Sequence, residues 1–184
     1  MRPAAGEWIR SRKRRLRRFV AGKPALYRLL SYAVRPRFWL FGLKSPPLDV
    51  KSDTIVLRGH HLLCLTKHHA LRLYHPPVQR ALARIRTVPA IRIKTVVGPD
   101  DVCTICPYWH QGRCRRKAQM EEDNSRRDAE YLEALHLHHG QVVDAHELFE
   151  IMRRELDLSG MKRICAGCTA EVCHEALQSR TWWD

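Results

Sequence analysis

Hydrophobic and polar positions alternate in two short stretches of the chain and recur at helical spacing in several longer ones. Thr54-Ile55-Val56-Leu57-Arg58 is β-prone and stops at Gly59, and Ile91-Arg92-Ile93-Lys94-Thr95-Val96-Val97 alternates at its start; both predict strands. His60–Leu73 predicts a helix stopped by Pro76-Pro77, and Pro77–Thr87 a second one that turns Val78, Leu82 and Ile85 inward. Arg115–His138 reads as a long charged helix ended by Gly140 as its C-terminal cap, with Ala118, Ala129, Leu132 and Leu135 on the buried stripe. Asp144, with Glu147 three residues on, starts a further helix in capping-box fashion. That helix aligns Leu148, Ile151, Met152 and Leu156, and Ser159-Gly160 closes it. The expected fold is α+β: a small, mostly helical domain with a short two-strand sheet and cysteine-rich metal-binding loops.

Charge divides the chain. Residues 1–50 carry thirteen Lys/Arg against Glu7 and Asp49, so that +11 of the net +14 sits there and the remainder is close to balanced. Ser45-Pro46-Pro47 reads as a linker, which places a basic extension over 1–50 and a cysteine-rich metal-binding domain over 51–184. Within the extension, basic clusters such as Arg12-Lys13-Arg14-Arg15 stand beside Phe19, Tyr27, Phe38 and Trp39. Residues 10–44 thus suit an anionic membrane surface, where each basic residue contributes about 1 kcal/mol, or the phosphates of nucleic acid; a solvated tail is the plainer alternative. No run approaches the roughly 18 apolar residues of a spanning helix, so no transmembrane span is expected, and the chain reads as cytoplasmic or peripheral to a membrane.

All seven cysteines and all eleven histidines follow residue 50. Cys103-Thr-Ile-Cys106-Pro107 with Cys114 is a C-x2-C-x7-C run, and Cys165-Ala-Gly-Cys168 with Cys173 is a C-x2-C-x4-C run. Two residues between thiols let both sulfurs of a tight loop point at one centre, as a soft metal or an iron–sulfur cluster requires. An odd cysteine count and clustered pairs favour metal or redox chemistry over disulfides. On a helix, His61, Cys64 and His68 share a face, as do His60 and Cys64, so His60, His61 and Cys64 join the candidate ligands. Each triplet needs a fourth ligand: His110 for the first, His174 or Cys64 for the second, unless both pairs meet in one four-thiolate site. Asp100 and Asp101 shape the turn before Cys103, with the orienting of a ligand as the alternative. Neither a phosphate-cradling glycine loop nor a serine nucleophile motif is present.

The runs Leu57-Arg58-Gly59-His60-His61-Leu62-Leu63-Cys64, Gly98-Pro99-Asp100-Asp101-Val102-Cys103-Thr104-Ile105-Cys106-Pro107 and Arg163-Ile164-Cys165-Ala166-Gly167-Cys168 together resemble an uncharacterised family of small bacterial and archaeal proteins thought to bind an iron–sulfur cluster. The resemblance spans roughly residues 53–175. It implies a cluster, [4Fe–4S] first, held by cysteines among Cys64, Cys103, Cys106, Cys114, Cys165, Cys168 and Cys173, and it supplies no reaction. The expectation is therefore an iron–sulfur protein for electron transfer or redox sensing, with a redox protein as partner. The alternatives are a zinc-stabilised module whose extension touches nucleic acid or lipid, and an enzyme that uses His60 or His61 beside the metal.

Overall fold

A computed structural model of the chain describes residues 52–70, 76–115, 120–166 and 170–179. The expected basic extension, Ala118 and Cys168 lie outside these. Strand β1 (Thr54–Arg58) leads into helix α1 (Gly59–Ala70); helix α2 (Pro76–Thr87) precedes strand β2 (Arg92–Val96). The two strands pair in parallel, with Thr54 opposite Arg92 and Arg58 opposite Val96, and the helices form the crossover that a parallel pair needs. Val78, Leu82 and Ile85 face inward as expected.

Beyond β2 come the one-turn helix α3 (Asp101–Thr104) and a hairpin of β3 (Trp109–His110) and β4 (Arg113–Cys114). The hairpin turn is Gln111-Gly112, both with positive φ, 49° and 75°, the pattern of a two-residue turn matched to strand twist. Helix α4 (Met120–Ala134), strand β5 (Val142–Asp144), and helices α5 (Ala145–Glu155), α6 (Leu158–Ile164) and α7 (Ala170–Gln178) complete the order. Strand β5 adds antiparallel to β2, giving a three-stranded sheet of order β1-β2-β5. The fold is α+β and mostly helical, with one more strand in the main sheet than the periodicity predicts, plus the hairpin. No helix among the described residues is long and apolar enough to cross a membrane.

Two helix boundaries and one buried stripe differ from expectation, each for a local reason. The long helix ends at Ala134, well before Gly140. His136 takes the left-handed position (φ 55°), with Leu137 N–H bonded to Leu132 C=O at 2.9 Å and His136 N–H to Glu133 C=O at 3.0 Å, a Schellman closure. Ser159-Gly160 lies inside α6, whose N-cap Asp157 accepts from the Gly160 N–H. Ala129 is exposed, because the stripe that α4 buries runs through Asn124, Asp128, Tyr131, Leu132 and Leu135. Asp144 caps α5 as predicted, accepting from the His146 and Glu147 N–H groups, and Leu148, Met152 and Leu156 enter the core.

Strand β1 is an edge of the sheet, and its outward groups are covered from within the chain. Asp101 Oδ2 accepts the Val56 N–H and Asp100 Oδ2 the Arg58 N–H, each at 2.9 Å. Arg84 Nη2 donates to the carbonyls of Ser52 and, at 3.2 Å, Thr54. An edge closed in this way offers no template for a further strand. It also ties the loop after β2 to the end of β1, the point at which parallel strands tend to present binding residues.

Candidate metal centre

Arg58, the last residue of β1, is fully buried. A buried guanidinium must be paired, and three acidic or soft groups surround it. Its Nε donates to Asp128 Oδ2 at 2.8 Å, its Nη2 to Glu121 Oε1 at 2.9 Å, and its Nη1 lies 3.8 Å from Cys103 Sγ. Burial works against the cation, while Glu121 and Asp128 more than restore it and push the guanidinium above its usual range.

Gly59 follows, and its φ is not the left-handed kind that demands glycine. Its role is a close approach: a Cβ here would stand 2.5 Å from the backbone oxygen of Asp128 and 2.8 Å from its Cα. Glycine thus lets α1 touch the backbone of α4, which brings the Asp128 side chain to the start of α1. Asp128 Oδ1 accepts the His60 N–H at 2.9 Å and lies 2.7 Å from His60 Nδ1; its Oδ2 also accepts the Gly98 N–H at 3.2 Å. Burial, and then the neighbouring His61, lower His60 to about 4, so the ring is neutral near pH 7 and its Nδ1–H donates to the carboxylate.

His61 repeats the arrangement with a different acid. Its Nδ1 lies 2.7 Å from Asp100 Oδ2, and Asp100 Oδ1 accepts the Cys103 N–H at 2.9 Å as the N-cap of α3. Burial would raise Asp100, but His61 and the Arg58 and Cys103 N–H donors outweigh it and hold the carboxyl at about 2. Burial first, and the Asp100 charge next, push the Cys103 thiol up. One ligand atom from each of His61, Asp100 and Cys103 lies within 4.8 Å of the others, and they form the one such group of three among the described residues. Nitrogen, carboxylate and thiolate donors together suit a borderline divalent ion such as zinc.

The remaining predicted ligands fall outside this group. Cys106 follows α3, its N–H bonded to the Cys103 C=O at 2.9 Å, and is half-buried. Cys114 lies on β4 with its N–H on Glu121 Oε2 at 3.1 Å, which links the hairpin to the Arg58 network. His110, on β3, is exposed. Cys64, Cys165 and Cys173 act electrostatically on Tyr131 of α4: after burial, the charges of these three cysteines are the causes that raise its phenol far above the ordinary value. His174, beside Cys173, is half-buried. The side chains of His68 and His69 lie outside the described residues, as does Cys168.

Sequence reasoning missed Arg58, Asp128 and Glu121 as parts of the site and ranked a turn-shaping role for Asp100 above a ligand-orienting one. Asp128 was detectable in principle. It stands four residues after Asn124 and seven before Leu135, at stripe spacing, and a charged residue on a buried stripe requires a partner.

No curated protein and no solved structure matches the chain. A family model does match, over residues 74–173, described as a protein of unknown function (DUF1284). The matched span includes both cysteine runs and begins after the Arg58–Cys64 run. It takes in more than half of the chain, and the chain therefore belongs to the DUF1284 family.

Proposed function

We propose that the protein binds a divalent metal ion through His61, Asp100 and Cys103, with zinc the first candidate. The observation that carries this reading is the meeting of one nitrogen, one carboxylate and one sulfur donor within 4.8 Å, on groups already fixed by buried partners. Metal at this point replaces the Cys103 proton, and the Arg58 guanidinium beside the sulfur supports the thiolate. Asp100 would turn one oxygen to the ion while keeping its bonds to backbone N–H groups, which hold α3 in place. Such an ion ties the ends of β1 and β2 together and stabilises the domain directly.

An iron–sulfur protein for electron transfer or redox sensing is the second reading. A cluster takes its ligands almost wholly as thiolates, and the His61 group supplies only one, so the residues there do not fit a cluster. What favours the second reading is that Cys64, Cys165 and Cys173, on three different elements, all act electrostatically on the buried Tyr131 phenol. The basic residues 10–44, in contact with an anionic membrane or nucleic acid, would complete either version.

Metal analysis of the full chain separates the readings. Near-stoichiometric zinc that is lost in His61→Ala and Cys103→Ser, with circular dichroism unchanged, supports the first. Retention of all bound metal by both variants removes it.

A further inference from the structure

Cys103 supplies the sulfur of the His61 group, and a second cysteine closes the turn that Cys103 opens. The Cys106 N–H bonds to the Cys103 C=O at 2.9 Å. Between them Thr104 ends α3 and Ile105 stands at φ −109°, ψ 10°, the shape of a type I turn. Such a turn keeps its first and last Cα atoms less than about 7 Å apart, and a disulfide spans Cα separations of about 4.4–6.8 Å. Side chains at the two ends of a turn closed in this way also fall on one side of it. Both ends are pinned from outside the turn. Asp100 Oδ1 accepts the Cys103 N–H at 2.9 Å, and the Trp109 N–H donates to the Cys106 C=O at 3.0 Å.

Access differs between the two thiols. Cys103 is buried, whereas Cys106 is half-buried, with Thr104 and Pro107 exposed on either side of the turn's end. A small oxidant in solution therefore reaches Cys106 first. A sulfur that ligates a metal must be a thiolate. Once tied to Cys106, the Cys103 sulfur is not one, and His61 and Asp100 alone are too few for zinc.

We infer that Cys103 and Cys106 form a reversible disulfide that controls metal occupancy of the His61 centre; the inference rests on the metal reading of that centre. The oxidant is a low-molecular-weight disulfide such as oxidised glutathione. Cys106 gives up its proton to water and its thiolate attacks one sulfur of the oxidant. The oxidant's S–S bond breaks, one small thiolate leaves, and a mixed disulfide remains on Cys106. The Cys103 thiolate, parting from the ion, then attacks Cys106 Sγ and expels the second small thiolate. Both small thiolates take up protons from water, the metal passes to solvent, and the two electrons lost by the protein's sulfurs reside in the two small thiols. A dithiol reductant reverses the exchange and restores the site.

The test uses the full chain, reduced and loaded with zinc, then treated with oxidised glutathione while a chromogenic chelator reports free zinc. Thiol blocking and peptide mass mapping follow the disulfide. The expected result is zinc release that tracks formation of a Cys103–Cys106 disulfide, with zinc rebinding after reduction by dithiothreitol. Cys106→Ser keeps every ligand of the His61 group, so it should bind zinc as the wild type does and release it no faster with oxidant than without. Cys106→Ala repeats the measurement with no hydroxyl in the turn, and circular dichroism checks both folds. Oxidant-driven release that proceeds equally in both variants overturns the inference and leaves the metal reading standing. So does a wild type that keeps its zinc while other thiols oxidise. A Cys103–Cys106 disulfide that forms with zinc still bound removes both, as does a reduced chain that takes up no zinc.

Discussion

Asp128 and Tyr131 stand three residues apart on α4, both fully buried, yet their polar atoms fare in opposite ways. The Asp128 oxygens accept from Arg58 Nε, the Gly98 N–H, the His60 N–H and the His60 ring. The Tyr131 hydroxyl has no partner among the described residues. On the first side the chain completes its own polar network, so the donors of the His61 group are held in place before any metal arrives. On the second a buried hydroxyl stays outside any such network. Pre-organisation and incompleteness can therefore coexist within one turn of helix, and each predicts a different response to mutation and to metal.

The sharpest way to break the first side is Asp128→Ala. It strips Arg58 of one carboxylate and His60 of its acceptor inside the protein, and breaking a buried ion pair typically costs about 3–5 kcal/mol. Urea unfolding should show that loss with little change in slope. A loss under about 1 kcal/mol would mean that the network adds little to stability. Gly59→Ala should come next, at about 1–3 kcal/mol for forcing extra volume into a packed contact. The new Cβ meets backbone, which cannot rotate away, so α1 must lift from α4 and carry His60 off Asp128. The same variant should therefore lose metal at the His61 group, although it removes no ligand.

Acid should take the first side apart in two windows in metal-free protein. His60, at about 4 when folded, lies below its ordinary value of about 6.5. The unfolded chain thus takes up its proton first, and stability falls as pH drops from about 6.5 to about 4. Asp100, at about 2, lies below an ordinary carboxylate at about 4, so its contribution is present above that value and is lost as pH falls toward 2. Asp100→Asn should flatten the lower window and leave the upper one. Thermal melts across that range check it, and a lower window that persists in the variant would assign it to other carboxylates.

Much of the scaffold was legible in the sequence, and less of the site. Strand alternation at Ile91–Val97 and helical spacing in α2 and α5 have one apolar face each, so periodicity alone phases them. Helix α4 defeats the same reading because its inward stripe includes Asn124 and Asp128; hydropathy then favours Ala129, which faces water. Strand β5 spans three residues and the hairpin strands two each, too short for alternation to register, though Gln111-Gly112 is a usable turn signal. His61 and Cys103 stood among the expected ligands because histidine and cysteine are conspicuous. Asp100 as a donor was hidden, since its capping role explains an aspartate at that position by itself. The long-range pairings, Arg58 with Glu121 and His60 with Asp128, depend on tertiary packing that no local pattern encodes.

The smallest effect, and the one that most directly tests the second side, is Tyr131→Phe. In metal-free protein the change removes a hydroxyl that has lost its hydration and gained no partner, while the ring keeps its packing. An unsatisfied buried hydroxyl costs about 1–3 kcal/mol, so the variant should be more stable than wild type by about 1 kcal/mol. On the iron–sulfur reading the sign should reverse in the metal-loaded chain, because a cysteine thiolate beside Tyr131 would then accept from the hydroxyl and removing it would delete a charge-assisted bond. Denaturant titrations of both proteins, with and without metal, give the four stabilities needed. A gain in the metal-free state that persists unchanged on loading would show that the hydroxyl never meets a ligand. A loss in the metal-free state would show that it already has a partner, and the contrast with Asp128 would then collapse.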